Sequence, residues 1–342
     1  MKKIILIGLA IVLIVVLARL VFYSGMLREV SNEFLGQELA SWEAPAGPED
    51  LDLDYKRNHL LISSADRRNA GSSSDGIYMV DLSMDGQVIK KIKDDYPGQL
   101  YPHGIFVQEL DSTTYVWVVN HQETQDYIEK FTYNGKVLTH LASYTDPLIQ
   151  GANDVCALKE DLFYVTRDHG FAKGWKQKIE DYLILPIAKI IVYNEGRFYK
   201  VADGLQYPNG INVSLDQKQL YVAETTGRNV RVYNILDDYS LTQTRKISMK
   251  TGVDNIDIDE KGRLWIGCHP KLLAFVAHSR DPANLSPSEI IMIDPNQEYS
   301  IKEIFLNEGE GFSGCSSALY YNKTIYAGVV FDPVIWRGII DI

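Results

Sequence analysis

Four short stretches place carboxylates and carboxamides at the head of an apolar run. They are "GPEDLDL" with Glu49 and Asp50, "GANDVCAL" with Asn153 and Asp154, "YPNGINVS" with Asn209, and "GVDNIDID" with Asp254 and Asn255. If these heads meet in space, Glu49, Asn153, Asn209, Asp254 and Asn255 offer side-chain oxygens carrying two negative charges. That donor set suits Ca2+, a hard cation that takes roughly six to eight oxygens. Mg2+ fits less well, because it keeps its water, and zinc wants His or Cys. Taken singly, each residue reads equally well as an ordinary turn former.

The elements that would bring these heads together are repeated units. "EDLDLDYKRNHLLISSA", "PHGIFVQELDSTTYVWVVNH", "NDVCALKEDLFYVTRDH", "NGINVSLDQKQLYVAET", "DNIDIDEKGRLWIGCHP" and "GCSSALYYNKTIYAGVV" each run polar head, strand, turn, second strand. They recur at a spacing of roughly 45 to 60 residues, the range of propeller blades. The expected fold is therefore all-β: a six-bladed propeller of four-stranded antiparallel sheets around a channel. The heads of the innermost strands, Glu49, His103, Asn153, Asn209 and Asp254, then converge on one channel mouth. A solenoid would spread them along a line.

Alternation along an extended chain turns neighbours to opposite sides. Glu49 and Asn153 can thus face the mouth while Asp50 and Asp154 point deeper, where a second cation would sit. His103 and His121 could form a proton relay. Their positions, one starting a strand and the other ending the next, read as opposite ends that need not be close unless an outer loop folds back.

The net charge of −11 argues against a nucleic-acid binder, which needs a basic face. Cys156, Cys268 and Cys315 lack C-x-x-C spacing, so they support neither zinc nor dithiol chemistry. The start, "MKKIILIGLAIVLIVVLARLVFYSG", has a basic flank and a long apolar run. It reads as a signal anchor over 1–25 with the rest of the chain outside the cytoplasm. A cleaved leader, giving a secreted protein, is the rival reading. Residues 26–44 read as a linker and lead-in, and 45–342 as the propeller.

One insert, 171–188, breaks the β pattern. Trp175, Ile179, Tyr182 and Leu183 share a helical face, so it reads as an amphipathic helix over the mouth. Two roles are open for it, a membrane-facing helix and a helix simply packed on the propeller. Asn212, Asn284 and Asn322 stand in N-x-S/T triplets, potential glycan acceptors.

"GPEDLDL", "YPHGIFV", "VVNHQE", "GANDVCAL", "TRDHGF", "YPNGINVS", "GVDNIDID" and "LWIGCHP" together resemble, in order and spacing, the paraoxonase (arylesterase/lactonase) family. The chain is more distantly similar to gluconolactonase-like propellers. The resemblance implies a six-bladed propeller with two calcium ions. It implies Glu49, Asn153, Asn209, Asp254 and Asn255 at a catalytic ion, and Asp50, Asp154 and the carbonyl of Ile105 at a structural one. It matches His103 and His121 to a histidine pair, and Asp168 and His169 to a motif beside the pocket, whose wall Tyr207 would join. The loop "SSADRRNAGSSSDG", with Arg67 and Arg68, departs from the family's active-site loop. No cysteine lies near the propeller's ends, so strand pairing must close the ring.

The expected activity is calcium-dependent hydrolysis of lactones and aryl esters. Water would be activated by His103 with His121 behind it, or by Glu49 or Asp254. A phosphotriesterase, and a non-catalytic propeller that binds a partner protein, are the alternatives. The expected partners are a small-molecule substrate and the membrane.

Overall fold

Runs rich in Val, Ile, Tyr and Phe, broken by Gly, Asp and Asn turns, pair into six sheets, antiparallel except where the short Lys93–Asp94 edges one of them in parallel. The computed structural model describes residues 2–69, 71–84 and 86–342. Blades 1 to 6 have inner strands Pro48–Asp54, Pro102–Leu110, Ala152–Lys159, Pro208–Val213, Gly252–Ile258 and Cys315–Tyr321. Each inner strand packs on the next, and the sixth packs on the first, so the sheets close into the expected six-bladed propeller. Ring closure is made by strand pairing. Gln37–Glu43 forms the outer strand of blade 6, antiparallel to Val334–Ile339. Glu33–Phe34 likewise edges blade 5. The three cysteines are free and buried.

The core lies between blades. Tyr164 and Ile190 of blade 3 pack with Ile211 and Leu220 of blade 4. Leu51 and Leu60 of blade 1 pack with Leu319 and Ile335 of blade 6. Burial of side chains this size contributes about 1.5–3 kcal/mol each. Because apolar residues fill the inter-blade layers, the channel itself is left to polar side chains.

All six inner strands slip register at the same level. The slips fall between Pro48 and Asp50, Pro102 and Ile105, Ala152 and Val155, Pro208 and Ile211, Val253 and Ile256, and Cys315 and Ser317. A bulge bends its strand and re-aims side chains. Here the residues inside the slips are the polar heads themselves. Two of the slips require glycine. A Cβ on Gly104 would lie 2.3 Å from Asp154 Oδ1, and one on Gly210 would lie 2.6 Å from the Cα of Asn255.

Three helices interrupt the strands. The first, α1 (Lys2–Tyr23), is long and apolar enough to cross a membrane, and its apolar window buries nothing against the propeller. Its C-terminal end, by contrast, is tied down. Arg228 donates to the carbonyl of Phe22 at 2.5 Å, and the amide of Leu272 donates to the carbonyl of Ser24 at 2.9 Å. Arg28 grips Glu289 with two bonds of 2.6 Å.

The second helix, α2 (Trp175–Leu183), is the expected insert, but its burial is inverted. Trp175 and Tyr182 are 69% and 57% exposed, whereas Glu180 is buried. Glu180 faces inward because its carboxylate accepts the amides of Gly170 and Phe171 at 2.7 and 3.0 Å. The apolar stripe therefore points away from the propeller. The third helix, α3 (Leu272–Arg280), follows the second strand of blade 5 and was not anticipated. Asn212 is no free glycan acceptor. It lies on an inner strand, where its amide donates to the carbonyl of Ile256 at 2.9 Å.

Candidate active site

Five inner-strand heads meet at the mouth. Glu49, Asn153, Asn209, Asp254 and Asn255 are each at most 5% exposed, although all are polar. Asn153 Oδ1, Asn209 Oδ1, Asp254 Oδ1 and Asn255 Oδ1 are buried with no hydrogen-bond partner. An unpartnered buried oxygen is costly, on the order of 1–3 kcal/mol. Four of them in one ring, supplied by three blades, need a common donor or a cation. Among the described residues no three His, Cys, Asp or Glu side chains group as a metal centre. The ring is instead rich in carboxamides, a donor chemistry that fits Ca2+ and not zinc.

The surrounding residues fix the orientation of the ring's acids. His269 Nε2 lies 2.5 Å from Asp254 Oδ2, and the imidazole packs on Phe275 at 4.1 Å between centroids. Glu49 Oε1 accepts from Asn255 Nδ2 at 3.2 Å and lies 3.3 Å from His103 Nε2. Glu49 Oε2 lies 3.2 Å from an Arg67 guanidinium nitrogen. Burial pushes the Glu49 carboxyl up, but the charges of His103 and Arg67 outweigh it and hold it down at about 2. Asp254 stands above its ordinary value, because burial outweighs the bond to His269.

Below the ring, Asp50 and Asp154 brace adjacent blades. Asp50 accepts the amides of Leu51 and Ile105, at 2.9 and 2.8 Å. Asp154 accepts those of Val155 and Ile211, at 2.7 and 2.8 Å. Both carboxyls lie well above the usual range. Burial is the main cause, followed for Asp50 by the charges of Asp154 and Glu49. Buried acids facing one another in this way gain from a shared cation.

His103 and His121 do meet, at 2.8 Å between Nδ1 and Nε2. No outer loop has to fold back to bring them together. Antiparallel pairing sets the start of one strand beside the end of the next, and Pro102 pairs with Asn120. His121 Nδ1 in turn lies 2.7 Å from Asp126 Oδ1. Burial raises the Asp126 carboxyl, but the hydrogen bond and charge of His121, with the Gly151 and Ala152 amides, hold it below its ordinary value. A carboxylate at Nδ1 fixes the His121 tautomer with that proton on Nδ1. His121 Nε2 then accepts from His103 Nδ1–H, and His103 Nε2 is left facing Glu49 Oε1 at the mouth.

Asp168 and His169 serve α2. His169 is held between Asp168 at 2.7 Å and Asp181 of α2 at 2.8 Å. Burial lowers its pKa, but the two acids outweigh that and raise it to about 10. Tyr207 packs edge-on to His169 with centroids 4.9 Å apart. Asp168, His169, Asp181 and Tyr207 line a narrow crevice beside α2. Tyr207 also carries φ +52° immediately before Pro208, a strained conformation for a bulky residue. Sequence reasoning missed His269 and Asp126. The signal for His269 was strand pairing, since Gly252 opposite His269 brings that histidine alongside Asp254.

A polar ring of this kind at one mouth of a closed six-bladed ring defines a class, the propellers that gather a ligand site from their inner strands. Within that class the chain belongs to the arylesterase family, whose model matches residues 67–337. Membership supports a hydrolase. Relatives include serum paraoxonase/arylesterase 2 of Rattus norvegicus, 31% identical over 83% of this chain and 84% of that protein. Serum paraoxonase/arylesterase 1 of Homo sapiens is 33% identical over 69% of this chain and 67% of that protein. Among solved structures, a putative gluconolactonase matches with a TM-score of 0.55 at 12% identity, covering 92% of this chain and 94% of that one. Regucalcin of Agrobacterium tumefaciens gives 0.55 at 12%, covering 89% and 93%. At such identity these structures speak for the fold alone.

Proposed function

We propose that the protein is a calcium-dependent hydrolase of lactones and aryl esters. The observation that carries this reading is the set of four unpartnered buried oxygens beside the Glu49–His103–His121–Asp126 series. Glu49, Asn153, Asn209, Asp254 and Asn255 would hold the catalytic ion. Asp50, Asp154 and the Ile105 carbonyl would hold a second, deeper one. When bound at the ring, a calcium ion supplies a Lewis acid for the substrate's carbonyl oxygen.

The chain's own groups handle the proton. His103 Nε2 takes a proton from water as the water oxygen bonds to the carbonyl carbon. That proton then passes to the leaving oxygen as the C–O bond breaks. His121 accepts from His103 Nδ1 and, held by Asp126, keeps the ring oriented. Glu49 and Asp254 are weaker candidates for the base, because their carboxylates are turned into the ring.

The same residues suit phosphotriester hydrolysis, so the substrate panel must include a phosphotriester. A partner-binding scaffold has no use for unpartnered oxygens at its centre. Localisation follows from α1. Its basic flank and apolar length support an anchor, with the propeller outside the cytoplasm and the exposed stripe of α2 available to the membrane. The deciding experiment is turnover of lactones, aryl esters and phosphotriesters by the full chain in detergent, with calcium and with chelator. Calcium-independent turnover, or none on any ester, would sink the reading.

A further inference from the structure

In the loop after the second strand of blade 1, Arg67 pairs with Glu49 of the ring and Arg68 with Asp332, and the two have different tasks. Arg68 is the clamp. It donates to Asp332 Oδ1 and to the carbonyl of His278, both at 2.8 Å, and its guanidinium lies 4.9 Å over the Phe331 ring. Asp332 and Phe331 belong to blade 6 and His278 to α3, so the clamp spans from one blade to its neighbours. Arg67, fixed by that clamp, reaches back to Glu49.

The guanidinium of Arg67 keeps donors to spare. An arginine has five N–H groups. Arg67 uses one nitrogen on Glu49 at 3.2 Å and the other terminal nitrogen on the carbonyl of Ala65 at 3.3 Å. No nitrogen of Arg67 is both buried and unpartnered, and the side chain is 21% exposed. Its remaining donors are therefore not sealed in the core. Among the described residues its one ion-pair partner is Glu49. A divalent cation held in the ring would balance Glu49 and Asp254 and leave the charge of Arg67 unmatched there. Asp126, the acid behind the histidines, is turned to His121 and Gly151.

We infer that Arg67 is a specificity-determining residue, a carboxylate-binding group that selects esters and lactones bearing a carboxylate near the scissile carbonyl. The planar fork of a guanidinium matches a carboxylate with two parallel bonds. A neutral substrate leaves those donors to water. This inference rests on the proposed hydrolase reading for its substrate class, and its test separates the two.

The test uses a lactone bearing a free carboxylate and the methyl ester of that same carboxylate. Turnover of each is measured with the wild type, Arg67→Met and Arg67→Lys. Binding of the two matching lactams, which resist hydrolysis, is measured by calorimetry with calcium and with chelator. The wild type is expected to favour the carboxylate in kcat/KM by about tenfold or more, chiefly through KM. Arg67→Met should erase the preference, and Arg67→Lys should keep part of it. The lactam carboxylate should bind about tenfold more weakly to Arg67→Met, with the neutral lactam affected far less. Equal treatment of the two members by the wild type, or an equal loss on both in Arg67→Met, overturns the inference. If neither lactone turns over while the lactam preference appears and vanishes with Arg67, the inference stands and the hydrolase reading falls.

Discussion

His269 Nε2 engages Asp254 Oδ2 at 2.5 Å and leaves Asp254 Oδ1 without a partner. One oxygen is held so that the other is presented. A hydrogen bond of this kind behind a ligand typically affects metal affinity by about 10- to 100-fold. His269→Phe, which keeps the stacking on Phe275, should weaken calcium binding within that range. Calcium titration decides, and an unchanged affinity would show that Asp254 needs no help to present its oxygen.

The upper and lower acids should separate by phenotype. Asp254→Ala removes one of the ring's two charges and should abolish turnover. Asp154→Ala cuts an inter-blade brace at Ile211 and should lower Tm and raise sensitivity to chelator. Full lactonase activity in Asp254→Ala at low calcium is the outcome that contradicts the ring's assignment.

The lower acids also set a pH dependence. Asp50 and Asp154 have folded-state values well above their unfolded ones, owing to burial. The folded chain then binds more protons than the unfolded chain, so stability falls as pH rises above the ordinary aspartate range. Calcium-free protein should melt higher at pH 5 than at pH 8. Calcium should flatten or reverse that trend, and Asp154→Asn should weaken it. The lowered Glu49 changes stability only between the ordinary glutamate value and about 2, below this window.

His169 gives a second test of the same sign, at higher pH. Its pKa is raised to about 10 by Asp168 and Asp181, against burial. Its contribution to holding α2 is complete below the unfolded histidine value and is lost as pH rises through about 10. Limited proteolysis within 171–188 should therefore increase from pH 6 to pH 10. His169→Gln should be cut readily at pH 6, and resistance of that variant would show that Glu180 alone secures the helix.

The anchor junction predicts where truncation is tolerated. Deleting residues 2–21 should give a detergent-free, folded propeller. Deleting through Arg28 should also cost stability, because Glu289 is left buried without its partner, a loss of about 3–5 kcal/mol. The comparison is of Tm between the two truncations, and equal values would show that the pair carries no stability.

Much of this was legible in the chain. Polar heads such as Glu49 and Asp254 interrupt otherwise apolar strands, and their recurrence revealed both the blades and the mouth. What periodicity could not reveal was register. A slip such as that between Val253 and Ile256 depends on how one strand seats against its neighbours, not on local propensity. The direction of α2 was hidden for a related reason. Its spacing marked an apolar face, but the amides of Gly170 and Phe171 draw Glu180 inward instead. The meeting of His103 and His121 was readable, since the hairpin between them brings those two ends together.

The outer strand of blade 6 has a consequence for the order of events at birth. Residues 37–43 leave the ribosome long before their partner, Val334–Ile339. Until that partner is made the early strand carries an unsatisfied edge. The five intervening blades can assemble in sequence, but the circle locks only when the later segment finds the earlier one. Because the end of α1 and the chain that leads on to the early strand are pinned at Phe22, Ser24 and Arg28, any pull exerted through the anchor is borne by blades 4 and 5 before it reaches the seam of the ring.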